Sequence, residues 1–128
     1  MKNPPLSTLV KKLDKIFSEY IRRRDSKDGV ARCVTCGKYE NWKEIDCGHF
    51  VSRDKKSTRW NEKNCHPQCK SCNRFHEGRK DEYALFLIRK YGQGILEELN
   101  KNKWMPFKLD TLWLQEMIKE YKEKLNAL

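Results

Sequence analysis

Cys33-Val34-Thr35-Cys36-Gly37 and Cys69-Lys70-Ser71-Cys72-Asn73 are two copies of one device, a cysteine pair separated by two residues. That spacing lets both thiolates of a pair turn toward one ion, with the loop amides near the sulfurs. Two such knuckles close a tetrahedral site, so Cys33, Cys36, Cys69 and Cys72 are the expected ligands of a structural zinc. Gly37 suits the tight turn after the first pair. A thioredoxin-type redox role fits poorly, because no βαβ pattern surrounds either pair. Cys47 and Cys65 remain. Cys65 stands close enough before Cys69 to displace a ligand in principle, but the paired knuckles give the simpler closed site. Both are read as small buried residues.

The spacer between the knuckles is long enough for a separate motif: Asp46-Cys47-Gly48-His49-Phe50, then Asn64-Cys65-His66-Pro67-Gln68-Cys69, with Asn73 directly after Cys72. A His, an Asn, then a His or Asn after a cysteine knuckle resembles the HNH nucleases, in which a β-hairpin and a helix hold one divalent ion. The resemblance implies that His49 is the general base, that Asn64 positions it, and that Asn73 at the helix start binds the metal. His66 is grouped with these two catalytic residues, its other readings being a core histidine beside the zinc or a phosphate contact. His76 is an alternative final metal ligand, or only a surface residue. The chemistry makes sense of the residue types. Phosphodiester hydrolysis needs a base near neutral pH and a hard cation at the leaving oxygen. Magnesium or manganese takes oxygen ligands and keeps several waters, so the Asp46 carboxylate and the Asn73 amide can suffice.

Helical periodicity flanks this region on both sides. Leu9, Leu13, Ile16, Phe17, Tyr20 and Ile21 recur at helical spacing over residues 7–24, with Ser7 as the expected N-cap after Pro4-Pro5. The run 25–29 ends that helix. Residues 30–78 have little helical periodicity, and Ile45 and Phe50-Val51 are candidates for a small hairpin. Beyond them, 81–91 reads as a helix ending at Gly92, and 95–100 as a short one. Asp110 caps a last helix striped by Leu114, Met117, Ile118, Tyr121 and Leu125. The expected fold is α+β: a ββα-metal core at 30–78 with a four-cysteine zinc site, an N-terminal helix at 7–24 and C-terminal helices within 79–128, all in one domain of 128 residues.

Only 38% of the residues are hydrophobic and 36% are charged, so the core is small and a metal staple would help it fold. The net charge of +10 points to a polyanion, with nucleic acid ahead of a membrane surface. No run approaches the roughly 20 apolar residues of a spanning helix. Residues 1–6 have no signal-peptide core, so a cytoplasmic protein is expected, where cysteines more often bind metal than form disulfides. Arg22, Arg23, Arg24, Arg53, Lys55, Lys56, Arg59, Arg74 and Arg79 cluster around the motif and are the expected phosphate contacts. Trp42 and Trp60 are read first as core, either being able to stack on an unpaired base.

The match then narrows. Tyr20-Ile21-Arg22-Arg23-Arg24-Asp25, the first knuckle, 46–50, 59–69 and Cys72-Asn73-Arg74-Phe75, with Gly78 beyond, resemble the Rap/NinG recombination proteins of lambdoid phages. Residues 121–125 echo that family's last helix. The resemblance implies a structure-specific endonuclease acting on branched DNA, such as Holliday junctions and displacement loops, in phage recombination. The knuckle arrangement is also similar to phage endonuclease VII, where an Asp directly precedes the His. Here Gly48 does, and Asp46 lies further back. A four-way junction has approximate two-fold symmetry, so a homodimer is expected, with Trp104, Trp113 and Met117 of the terminal helices as its candidate surface. The alternatives are a zinc-stapled DNA-binding protein without catalysis and a general HNH nuclease. Asp46, His49 and Asn73 together favour catalysis over binding alone. The absence of a separate target-recognition domain argues against the general nuclease.

Overall fold

The computed structural model describes residues 4–128; the first part of the N-terminal reading, residues 1–3, lies outside the described residues. Helix α1 (Leu6–Arg24) buries Leu9, Leu13, Phe17 and Ile21, one apolar residue every four, on a single stripe. It starts one residue earlier than expected. Pro5, with φ −57°, is the cap and Ser7 falls inside the first turn, because a proline N–H is not missed at a helix start. Arg22, Arg23 and Arg24 occupy the last turn, where cations complement the helix dipole.

Strands β1 (Ser26–Lys27), β2 (Val30–Arg32) and β3 (Tyr39–Asn41) form a three-stranded antiparallel sheet. The β1–β2 turn is Asp28-Gly29, with φ of 53° and 80°, the paired positive values that a tight hairpin requires. The first knuckle links β2 to β3. Strand β4 (Asp46–His49) pairs antiparallel with β5 (Cys65–Gln68), placing Asp46 opposite Gln68 and His49 opposite Cys65. This corrects the expected hairpin: Ile45 and Phe50-Val51 only flank β4, and its partner comes from 65–68. The connection holds a short helix α2 (Lys56–Arg59). A π-helical turn (Ser71–Phe75) follows the second knuckle.

Helix α3 (Lys80–Tyr91) ends at Gly92, whose φ of 98° lets its N–H bond the Ile88 carbonyl at 2.8 Å. Helix α4 (Ile95–Lys103) follows. Helix α5 (Thr111–Asn126) is capped as expected, the Asp110 side chain accepting from the Leu112 N–H at 2.9 Å.

The molecule is a mixed helix-and-sheet structure with three buried clusters. In the largest, α1 packs on α5: Phe17 meets Tyr121 edge-to-face at 5.0 Å between ring centroids, with Leu13, Ile21, Leu114, Ile118, Trp60 and Cys65 around them. The second surrounds the knuckle sulfurs with Ala31 and Ile45. The third joins Tyr83 and Leu87 of α3 to Ile95 and Leu99 of α4. Trp113 packs on Trp60 and Phe107, and Met117 on the first cluster, so both are partly buried by their own chain. Only Trp104 of the expected dimer surface stays open, at 67% exposure. Among the described residues no helix is long and apolar enough to cross a membrane.

Phe17→Ala removes the ring at the centre of the α1–α5 seam and should cost about 3–5 kcal/mol of stability. Urea denaturation at neutral pH measures it. A loss below about 1 kcal/mol would mean that this seam does not hold the fold.

Candidate functional site

The sulfurs of Cys33, Cys36, Cys69 and Cys72 all lie within 4.8 Å of one another. A tetrahedron with metal–sulfur bonds of about 2.3 Å has edges of about 3.8 Å. The Cys36–Cys69 sulfur separation of 3.7 Å matches that edge. Donors already face the sulfurs: the Cys72 N–H reaches Cys69 Sγ at 3.5 Å, Arg79 Nε reaches Cys72 Sγ at 3.1 Å, and Thr35 Oγ1 lies 3.3 Å from Cys33 Sγ. Burial alone would raise the Cys33 thiol, but the Thr35 hydroxyl and nearby backbone amides bring it down to about 6. Burial pushes the Cys69 thiol up to about 12. The four cysteines can therefore hold one structural metal such as zinc, and their donor set suits it.

The β5 strand ends at the second knuckle, so the π-helical turn starts beside β4. That brings two predicted residues together: Asn73 Nδ2 donates to Asp46 Oδ2 at 3.0 Å. Arg74 grips the same carboxylate through Nε and Nη2, at 2.8 and 3.0 Å. A basic cavity of about 460 Å³ opens here, lined by Arg22, Lys43, Arg53, Lys70 and Arg74 as well as Asp46 and Asn73.

His49 sits at the other end of β4. Side chains alternate along a strand, so Asp46 and Gly48 share one face while Cys47 and His49 share the other. His49 lines a separate cavity of about 380 Å³ with Asp14, Arg53, Lys11 and Lys15. Its Nε2 lies 2.9 Å from the Arg59 carbonyl. A carbonyl only accepts, so Nε2 carries the hydrogen and Nδ1 keeps the lone pair. Burial pushes this imidazole down to about 4, against the pull of the Arg59 carbonyl. Asn64 is fully buried and clasps the loop after His49: its Oδ1 accepts from the Val51 N–H at 2.7 Å, and its Nδ2 donates to the Val51 and Thr58 carbonyls at 3.0 and 3.2 Å. Lys80 adds a clamp, donating to the His49 and Phe50 carbonyls at 2.7 and 2.6 Å.

Two expectations are corrected. His66 is fully buried in the α3 cluster, away from His49. Tyr83 donates its hydroxyl hydrogen to the Gly48 carbonyl at 2.7 Å, so His66 Nδ1 donates to Tyr83 at 3.1 Å and Nε2 accepts from Tyr91 at 2.8 Å. Both nitrogens are used, and burial, with Arg24 next in effect, holds the ring down to about 3; this is a structural histidine. His76 is exposed after the π-helical turn and lines a different cavity from Asp46, with Glu77 and Arg79, so it does not complete the Asp46–Asn73 pair.

The expected phosphate contacts divide. Arg24 is spent inside the fold on Asp25, Glu62 and the Cys65 carbonyl. Arg59 is spent on Asp14, and Arg79 on the Cys72 sulfur. Arg23 pairs with Glu19, and Lys55 lies over the Trp104 ring. Lys56 opens the short helix α2. Arg22, Arg53 and Arg74 line the basic cavity, joined by Lys43 and Lys70, which sequence reasoning missed. Asp14 was missed too. It takes Arg59, Arg53 and the Trp60 indole, and although burial alone would raise its carboxyl, Arg59 and the other donors hold it below the usual range. Set among Lys11, Lys12 and Lys15, it reads in sequence as part of a solvated face.

These features define a small mixed α/β protein, clasped by four cysteines placed to bind a metal and carrying a basic cavity beside them. The chain belongs to the NinG family: the family model described as NinG, Bacteriophage Lambda NinG protein, matches residues 1–128. It is similar to protein ninG of Escherichia phage lambda, 30% identical over 130 residues, which cover 97% of this chain and 59% of that protein. Protein ninG of Salmonella phage P22 is 26% identical over 129 residues, again covering 97% and 59%. Protein ninG of Escherichia phage 933W is 29% identical over 105 residues, covering 78% and 50%. The chain thus spans between half and three fifths of the length of these relatives. No solved structure matches it.

Cys69→Ser should lose the tightly held zinc and the near-ultraviolet circular dichroism of a packed core, as should treatment with a strong chelator. Zinc retained by the variant, or an unchanged melting temperature, would remove the four-cysteine staple. His49 and His66 give a pH prediction. Both are held neutral in the fold, at about 4 and about 3 against an ordinary 6.5. Below pH 6.5 the unfolded chain binds protons that the folded chain refuses. Their stabilisation is thus complete above 6.5 and is lost as pH falls, by up to about 1.4 kcal/mol per pH unit for each ring. The urea midpoint should drop between pH 7 and pH 5, and drop less in His49→Gln; a flat midpoint overturns the assignment.

Proposed function

We infer that this chain is a metal-assisted DNA endonuclease of the HNH type, acting on branched DNA such as four-way junctions during phage recombination. The observation that carries it is the Asp46–Asn73 contact at 3.0 Å, beside a basic cavity, between strand pair and helical turn. The order β4, β5, helical turn is the one a ββα-metal site needs. The resemblance to Rap/NinG proteins supplies the branched substrate.

A divalent ion such as magnesium, held by the Asp46 carboxylate and the Asn73 amide oxygen, would supply Lewis-acid stabilisation of the leaving oxygen. The chain's own residues do the rest. His49 Nδ1 takes a proton from water. The resulting hydroxide attacks phosphorus, and the bond to the sugar oxygen breaks. Arg74, now paired with Asp46, is freed to hold a phosphate once another cation takes that carboxylate. Arg53, which lines both cavities and now pairs with Asp14, would carry the phosphate between base and carboxylate. Asn64 and Lys80 hold the backbone on which His49 stands. Paired cuts across a symmetric junction call for two chains.

The second reading, a zinc-stapled DNA-binding protein, draws on a specific observation: both Asp46 oxygens are already satisfied by Arg74 and Asn73. One experiment separates the two. A labelled synthetic four-way junction and a linear duplex of the same sequence are incubated with magnesium, manganese or EDTA. Wild type should cut the junction in a metal-dependent way, and His49→Ala should cut at least about 100-fold more slowly while still binding it. Undiminished cutting by His49→Ala removes the base assignment. Tight binding with no cutting in either metal selects the binding protein, and equal cutting of both substrates a general nuclease.

A further inference from the structure

The face of the β4–β5 pair opposite Asp46 carries a second group of metal-capable side chains. Cys47 and His49 share that face of β4, and Cys65 stands directly across from His49 in the register. The sulfurs of Cys47 and Cys65 and one ring nitrogen of His49 all lie within 4.8 Å of one another. We propose that Cys47, His49 and Cys65 form a second metal site, separate from the four-cysteine staple and selective for a soft divalent ion such as zinc.

The donor set decides the class of ion. Two thiolates and an imidazole suit zinc or cobalt and offer magnesium nothing, since magnesium demands oxygen. Three protein ligands leave a fourth position open, unlike the closed staple. That position has somewhere to face: the cavity of about 380 Å³ is lined by Cys47 and His49 themselves, so an ion can enter from solvent and take a water as fourth ligand. The ring is held from behind by the Arg59 carbonyl, on which Cys65 Sγ also rests at 3.6 Å, the kind of outer contact that orients a ligating histidine. Charge is also accommodated. Two thiolates neutralise one divalent ion, so no net positive charge is added beside Lys11, Lys15 and Arg53.

The site deepens the nuclease reading and rests on it in one consequence only. A zinc ion on His49 occupies the nitrogen that would act as base, so zinc at this site switches cleavage off. The metal count needs no catalysis. Full-length protein is titrated with zinc and weighed by native mass spectrometry. Wild type should hold two ions per chain, while Cys47→Ser and Cys65→Ala should each hold one. Cobalt added to zinc-stapled wild type should give the thiolate-to-metal absorption of a tetrahedral site, absent in Cys47→Ser. Retention of the ion in the four-cysteine site shows that each variant is folded. A single ion in wild type overturns the proposal, as does a second ion that survives both substitutions. A chain that takes up a second ion in the zinc titration, yet cuts no DNA in magnesium when only the four-cysteine site is filled, leaves the site standing and removes the nuclease. If it does cut, excess zinc should suppress magnesium-dependent cleavage in wild type, and Cys47→Ser should be insensitive.

Discussion

Four sulfurs hold the rest of this structure in place. Cys33 and Cys36 belong to the hairpin region after α1, and Cys69 and Cys72 to the end of β5 and the turn beyond it. Closing so long a loop costs entropy that the small apolar cluster at the knuckles, five residues with three of them cysteines, does not offset by burial. An ion bound there contributes its binding energy to folding instead. The geometry downstream follows from that closure. The π-helical turn emerges from the second knuckle with its direction already set, and Asn73, next in sequence to Cys72, meets Asp46 because β5 lies against β4.

The packing around this clasp is divided among functions. The α1–α5 seam anchors the long segment that carries Asp14, and Asp14 fixes Arg59, whose carbonyl fixes His49. The α3–α4 cluster carries Tyr83, whose hydroxyl joins the β4 backbone at Gly48 to His66 on β5. The hairpin is thus gripped from both sides, by a helix on its His49 face and by a tyrosine and histidine on the other. The tyrosine and histidine are fully buried and satisfied, where an unpartnered group would cost about 1–3 kcal/mol, while Asp14 on the other side is only partly buried.

What the sequence made legible was local. Two residues between cysteines, a four-residue apolar stripe, an aspartate before a helix and a glycine after one each state their own geometry, and the knuckles, α1, the Asp110 cap and Gly92 were read directly. What it hid was pairing over distance. Strand β5 is buried along its whole length, so it shows none of the alternation that marks a strand, and its union with β4 spans a loop that carries its own short helix. Charge misled in the same way. Arg24 and Arg59 look like phosphate contacts until Glu62 and Asp14, distant in sequence, are seen beside them. His66 looks like chemistry until Tyr83 and Tyr91 close around it. In a chain with so few apolar residues, some arginines and histidines serve as core, and nothing in their own neighbourhood in sequence says which.

Gly48 shows how such a distant partner shapes the site itself. A Cβ at this position would run into the side-chain amide of Gln68, which lies under the hairpin. Gln68 cannot move aside cheaply. Its Nε2 donates to the Gly78 carbonyl at 2.8 Å and to Thr35 Oγ1 at 3.2 Å, and Thr35 in turn faces the Cys33 sulfur. The glutamine therefore ties the hairpin to the clasp and to the turn that follows it, and the space it needs forbids any side chain directly before His49. An aspartate at that position, as in endonuclease VII-like sites, is incompatible with this packing. The next position on the same face of β4 is two residues back, and it is Asp46. From there the carboxylate still reaches Asn73. On the proposed nuclease reading, the metal-binding carboxylate would then stand two residues further back on the same strand face, because the buried Gln68 amide leaves no room at position 48.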